Sequence, residues 1–209
     1  MYLNQFSVVV DGGNEISGGY VEMAHGKQYN LRLRNDRSVR CDAHVEIDGK
    51  HVGTWRLDAH RNVILERPAH DTGRFTFYKI GSQDADRAGI FSSNPNLGLI
   101  KVTFTPELIR PVPISHSFSS ASSSPVTYEN AIFKTGRGLS SNYAAMSETH
   151  GAGGTGLSGQ SSQNFYEVAI MELDYLQQTV INLRLVENKL SQYEPRPLTQ
   201  YSTPIPPRI

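Results

Sequence analysis

A single cysteine, Cys41, among 209 residues rules out an internal disulfide, and a secreted β protein would often carry several. Basic and acidic residues balance at 20 each, so the basic excess of a dedicated nucleic-acid binder is missing. Near-zero net charge also weakens colloidal repulsion and favours association with a second copy or a partner. No Asn-x-Ser/Thr glycosylation acceptor occurs. The opening residues MYLNQFSVVVDGG have neither the basic stretch nor the apolar run of a signal peptide, and no apolar run approaches a membrane span. These absences lead to the expectation of a soluble chain made in a reducing cytoplasm and not secreted, with no nucleic-acid partner and no membrane span.

Motifs that carry chemistry are also scarce. There is no CxxC, no HExxH and no HxH pair, and a metal site needs several His, Cys or carboxylate groups converging on one point. Cys41 and His44 are three apart, which puts them on opposite faces of a strand. The run GTGLSG (Gly154–Gly159) has the spelling of a dinucleotide fingerprint, but no helix follows it to receive a pyrophosphate. GLSGQ (Gly156–Gln160) lacks the final glycine of a nucleophile elbow. No Gly-Lys-Ser/Thr marks a P-loop. Asp84 and Asp86 read as solvated surface. No catalytic, cofactor-binding or metal-ligating residue is therefore assigned, and the chain is not expected to be an enzyme.

What the sequence does contain is short β pattern. NQFSVVV (Asn4–Val10) is β-branched and stops at Asp11-Gly12-Gly13, a turn signal. YNLRLRN alternates Leu31 and Leu33 against Arg32 and Arg34, the period of a strand with one wet face. DAHVEID and HVGTWRL flank Asp48-Gly49, a hairpin signal. NVILERP, RFTFYKI and LGLIKVTFTPE add further strands, the last with Ile100, Val102 and Phe104 inward. Only Ser82–Phe91 suggests a helical turn, with Ser82 as cap. Short strands without long segments of helical period favour an antiparallel sandwich over a parallel α/β fold.

The hairpin stretch Arg40–Pro68 holds the only Cys, the only Trp and three of the seven His. A two-residue loop at Asp48-Gly49 would put Val45 and Ile47 with Val52 and Thr54. A three-residue loop would put Val45 with His51, Gly53, Trp55 and Leu57, set Glu46 opposite Lys50, and leave His44 and His51 on opposite faces. The second is preferred because it gathers Val45, Trp55 and Leu57 on one side. Among the aromatics, Trp55, Phe75, Phe77 and Tyr78 are candidates for stacking on sugars or for the core. Tyr143, Phe165, Tyr166 and Tyr175 are candidates for a partner surface.

Composition changes after residue 110. RPVPISHSFSSASSSP has seven Ser between Ser115 and Ser124 and reads as a linker. Val126–Phe133 is a candidate strand, and Thr135–Gln163 reads as a long Gly/Ser loop. NFYEVAIMELDY and TVINLRLVEN read as two strands that pair as a hairpin. Five Pro between Pro195 and Pro207 predict an extended terminal arm. The fold expected is all-β: an antiparallel β-sandwich core over 1–110, a linker over 111–125, a smaller C-terminal β unit over 126–190 and an extended tail over 191–209.

RCDAHVEIDGKHVGTWRL, ILERPAHDTGRFTFYKI and LGLIKVTFTPE, within Val21–Glu107, resemble a sandwich segment of the penton and minor capsid proteins of large icosahedral double-stranded DNA viruses of algae. GLSGQSSQNF and INLRLV resemble a downstream pair of the same family. The resemblance implies a single jelly roll, a homo-oligomer with a pentamer favoured, neighbouring capsid proteins as partners, and residence in the virion. It carries over no functional residue and no cofactor. The expected function is accordingly structural, as a vertex or minor capsid component acting through self-assembly. The alternative is a carbohydrate- or receptor-binding sandwich module that meets a host glycan or receptor.

Overall fold

Period-two alternation builds both layers of the fold, and the structure, a computed structural model, describes residues 1–110 and 150–188. The strands are β1 (Tyr2–Leu3), β2 (Phe6–Asp11), β3 (Asn14–Ile16), β4 (Tyr20–Met23), β5 (Asn30–Asn35), β6 (Cys41–Ile47), β7 (Lys50–Leu57), β8 (Asn62–Leu65), β9 (Arg74–Lys79), β10 (Leu99–Pro106), β11 (His150–Ser158) and β12 (Thr179–Asn188). One α-helical turn, α1 (Gln83–Arg87), lies between β9 and β10. Its cap is Ser82, whose side chain accepts from Ala85 N at 3.1 Å.

One sheet has the order β1-β2-β5-β8. The other has the order β3-β4-β12-β10-β6-β7, with β11 attached to β12 and β9 paired with β11. The inward residues of the two meet in one core. Phe6, Val8, Val10, Leu31, Leu33 and Leu65 come from the first sheet. Ala43, Val45, Ile100, Val102, Phe104, Ile181 and Leu183 come from the second. Phe6 and Phe104 stack across the layers with ring centroids 4.6 Å apart and planes within 7°. The protein is thus an all-β sandwich, and its pairings are antiparallel except that β12 runs parallel to β4. Ile100, Val102 and Phe104 face inward as their alternation predicts, and Leu31 and Leu33 do the same.

The segment 150–188 departs from expectation. It is not a separate smaller unit in its described part: β12 lies between β4 and β10 in the middle of the larger sheet. The end of the expected Gly/Ser loop is a strand, β11, which pairs with β12 over His150–Ala152 and then with β9 over Gly153–Ser158. Its glycines make room. A Cβ on Gly154 would lie 2.7 Å from Leu97 Cδ1, and one on Gly156 would lie 2.7 Å from Tyr78 Cε2. NFYEVAIMELDY forms no strand and no hairpin with β12; only Leu173 makes an isolated bridge, to Glu107. The expected linker, the candidate strand Val126–Phe133, the first part of the loop and the Pro-rich tail lie outside the described residues.

Glu22 of β4 gathers the seam where β11 leaves β12. It accepts from His150 Nε2 at 2.9 Å, from Asn14 Nδ2 at 3.2 Å and from Asn188 Nδ2 at 3.2 Å. The hydrogen bond from His150, then that from Asn14, holds its carboxyl below the usual carboxylate range. A carboxyl lowered by folding adds stability above its unfolded value, and that stability is lost as pH falls through the folded value. Glu22→Gln is therefore expected to flatten the loss of melting temperature as pH falls below 4.5, the ordinary value. Equal acid sensitivity in the variant would remove Glu22 from the account.

Gly98 closes the other end of β10. Its φ is +70°, and a Cβ there would sit 2.5 Å from Leu185 O and 2.9 Å from Gly153 O. Both neighbours are backbone and cannot step aside. Gly98→Ala is expected to lower stability by about 2 kcal/mol or more in urea titration. An unchanged midpoint would show that the loop relaxes freely.

Candidate functional site

The hairpin tip organises the most featured part of the surface. Asp48 and Gly49 have φ of 53° and 79°, the signature of a tight two-residue turn. Ile47 accordingly pairs with Lys50, and Glu46 pairs with His51 rather than Lys50. A bulge follows, because Val45 pairs with Gly53 and Val52 has no opposite number. The extra residue restores the face grouping of the longer loop, so Val45, Trp55 and Leu57 are buried together. Glu46 meets Lys101 of the neighbouring strand, Nζ to Oε1 3.0 Å.

The bulge also overturns the separation of His44 and His51. The two rings stack with centroids 4.2 Å apart and planes within 9°. His44 Nδ1 and His51 Nε2 lie 3.2 and 3.3 Å from Thr54 Oγ1. Burial first, and His51 second, push the His44 imidazole below its ordinary value. Among the described residues, no group of three or more His, Cys, Asp or Glu is arranged to hold a metal ion. Cys41 is buried in the core, where burial pushes its thiol up to about 12.

Asp48 fixes the tip. Its Oδ1 accepts from Gly98 N at 2.6 Å and its Oδ2 from Thr155 N at 2.7 Å. Its own N–H donates to Leu99 O at 2.9 Å, and its carbonyl accepts from Asn94 Nδ2 at 2.9 Å. Burial raises its carboxyl above the usual range, and the two backbone N–H bonds oppose that rise. Sequence reading saw in Asp48 only a turn residue, because Gly98 and Thr155 stand 50 and 107 positions away.

Beside the tip lies a cleft of about 560 Å³. The hairpin contributes Lys50, His51 and Val52, and the loop before β9 contributes Pro68, His70 and Asp71. The segment after α1 contributes Ile90, Phe91 and Leu97, and β11 contributes Thr155 and Leu157. A satellite core of Ala85, Ile90 and Leu97, packed with Tyr78 and Ile80, forms one wall. Sequence reading did not assemble this cleft, since its lining comes from five separated stretches, the fifth being Phe75 of β9.

The third feature is a strap between β11 and β12. Arg67, 9% exposed, donates to the carbonyls of Gln163, Pro68, Ala69 and Asp71, and its guanidinium lies over the Phe165 ring at 4.5 Å. Phe165 meets Trp55 edge-on, centroids 5.5 Å apart. Further along, Arg56, itself paired with Asp42, donates to Ala169 O at 2.5 Å. Of the four aromatics left open between sugar stacking and core, Trp55, Phe75 and Phe77 are buried, and Tyr78 is half-buried against the satellite core. Of the expected partner-facing aromatics, Tyr166 and Tyr175 are exposed, Phe165 is packed inward, and Tyr143 lies outside the described residues. GTGLSG sits within and just after β11, paired with β9, so its glycines serve packing.

No family model matches the chain, and neither the curated proteins nor the solved structures yield a match. What the surface can do follows from its own geometry.

Asp48→Asn keeps the size of the side chain and suits a positive φ, but turns an amide N–H₂ toward one of two backbone donors. It is expected to lower stability by about 1–3 kcal/mol. Chemical denaturation of the two proteins measures this, and equal midpoints would mean that Asp48 does not hold the tip.

Proposed function

We propose that the chain is a structural subunit of an icosahedral virion, a penton or minor capsid component whose sandwich is a single jelly roll. Its working state is a homo-oligomer, with five copies favoured, set among neighbouring capsid proteins. The strap carries this reading. Tyr166, Val168 and Ile170 recur every second residue and are 86, 59 and 100% exposed. No backbone–backbone hydrogen bond joins residues 164–171 to the rest of the described chain. Apart from Ala169 O, which accepts from Arg56, the backbone groups of 164–171 make no hydrogen bond to the described chain, and with its apolar row the segment is a template for a neighbouring strand.

Ile109 and Leu176, 64 and 99% exposed, add to the apolar surface. Arg110 and Glu172 pair at 2.9 Å, so the end of β10's exit lies against the end of the strap. The occupant proposed is a second copy of this chain. Its charges sum to zero, so no net repulsion opposes the approach of two copies.

The test is the mass in solution by light scattering, with negative-stain images of the same peak. The unaltered protein is expected to form a ring, and Val168→Asp with Ile170→Asp is expected to give folded monomers that melt cooperatively, because both side chains already face solvent within one chain. A wild-type protein that stays monomeric across concentration, or a double variant that still forms the ring, overturns the reading.

A further inference from the structure

The cleft beside the hairpin tip has a mixed lining that defines what it would hold. Its walls are apolar: Val52, Pro68, Ile90, Leu97 and Leu157. Phe91 lines it while 59% exposed, so an aromatic surface is open to solvent there. Lys50 and His70 line it too; neither side chain makes a hydrogen bond or a salt bridge with a described residue, and Lys50 lies in the field of the Asp48 carboxylate, which also lines the cleft. Asp71 uses Oδ1 to accept from Gly73 N at 2.7 Å, which leaves Oδ2 to accept from a guest.

Three classes of guest can be compared. A wholly apolar guest would strip water from Lys50 and Asp71 and return no hydrogen bond. A neutral sugar would answer Asp71 and the Phe91 ring but would leave the ammonium with the Asp48 carboxylate, already spent on two backbone N–H groups, as its counter-charge. A pyranose bearing a carboxylate answers all of them. Its C–H face lies on the aromatic ring, its hydroxyls donate to Asp71, and its carboxylate takes a charge-assisted bond from Lys50. The volume falls within the range of small-molecule sites.

The local backbone supports a ready-made site. The bulge at Val52 changes the direction of the hairpin end, which is how bulges re-aim side chains beside binding sites. Ala69 N donates to Val52 O at 2.8 Å, fixing the loop of His70 and Asp71 against the bulge. Asp48 holds the same tip to the far wall through Thr155. A site with little left to order on binding keeps more of its contact energy as affinity.

We propose that this cleft binds an acidic pyranose, of the sialic- or uronic-acid type. The inference does not rest on the assembly reading, because the cleft belongs to one chain. The experiment is calorimetric titration of the full chain with N-acetylneuraminic acid, glucuronic acid, galactose and glucose. Lys50→Gln and Phe91→Ala are titrated alongside, with melting temperature as the check on folding.

At least one acidic sugar is expected to bind while both neutral sugars do not. Lys50→Gln is expected to weaken that binding about tenfold or more, with Phe91→Ala also weaker. The identity of the acidic sugar that binds separates the two sources. Absence of binding by both acids overturns the proposal. So does equal binding of neutral sugars, or unchanged affinity in both folded variants.

Discussion

One carboxylate determines how the far parts of this sandwich meet. Asp48 stands at a turn with positive φ, yet its two oxygens are spent on backbone N–H groups of a loop and of β11. The bond to Gly98 continues, because Gly98 O accepts from Leu185 N of β12 at 2.8 Å. A hairpin, a loop and two later strands are thereby tied through a single side chain. Burial works against this charge, and the N–H bonds work for it. An unfilled donor pair at that depth would be worse than the desolvated carboxylate, which explains why a polar residue holds the centre of this arrangement.

The fold was legible where burial and period agree. β5 alternates along its length and β10 as far as Phe104, since one face of each meets the core and the other is partly or fully open to water. β11 was illegible because its glycines leave no alternation to read, and glycine is a poor strand former. The hairpin register mixed two readings. The turn has the two-residue form while the faces match the three-residue form, and one inserted residue, Val52, reconciles them. That insertion brings His44 onto His51, a contact no count along the strands would find. The cleft was out of reach of sequence altogether, as its floor and rim converge only after the sheets close.

The strap shows that an apolar run with strand-like composition need not find a strand partner within its own chain. Phe165 faces Trp55 while Tyr166 faces water, and over 164–171 the strap is held by side chains and not by a strand partner. Arg67 makes the anchor, with a guanidinium answered by carbonyls and an aromatic face and by no carboxylate among the described residues. A planar fork with several donors can span four carbonyls; a lysine ammonium has neither the reach nor the donor count. The anchor leaves Tyr166, Val168 and Ile170 on the strap's other side exposed.

The position of β12 has a kinetic consequence. It is the last described strand, yet it separates β4 from β10, and its partners in β4 lie more than 160 positions earlier in the chain. The strands of the first sheet and of the β10–β6–β7 ladder all precede residue 110, but without β12 the slot beside β10 is empty. Loop closure over such a separation precedes the contacts that reward it. Folding to completion must therefore wait for residues 179–188 to leave the ribosome, and until then the exposed edge of β10 is open to a neighbouring nascent chain. Exchange of β12 between two copies is the misassembly this topology invites.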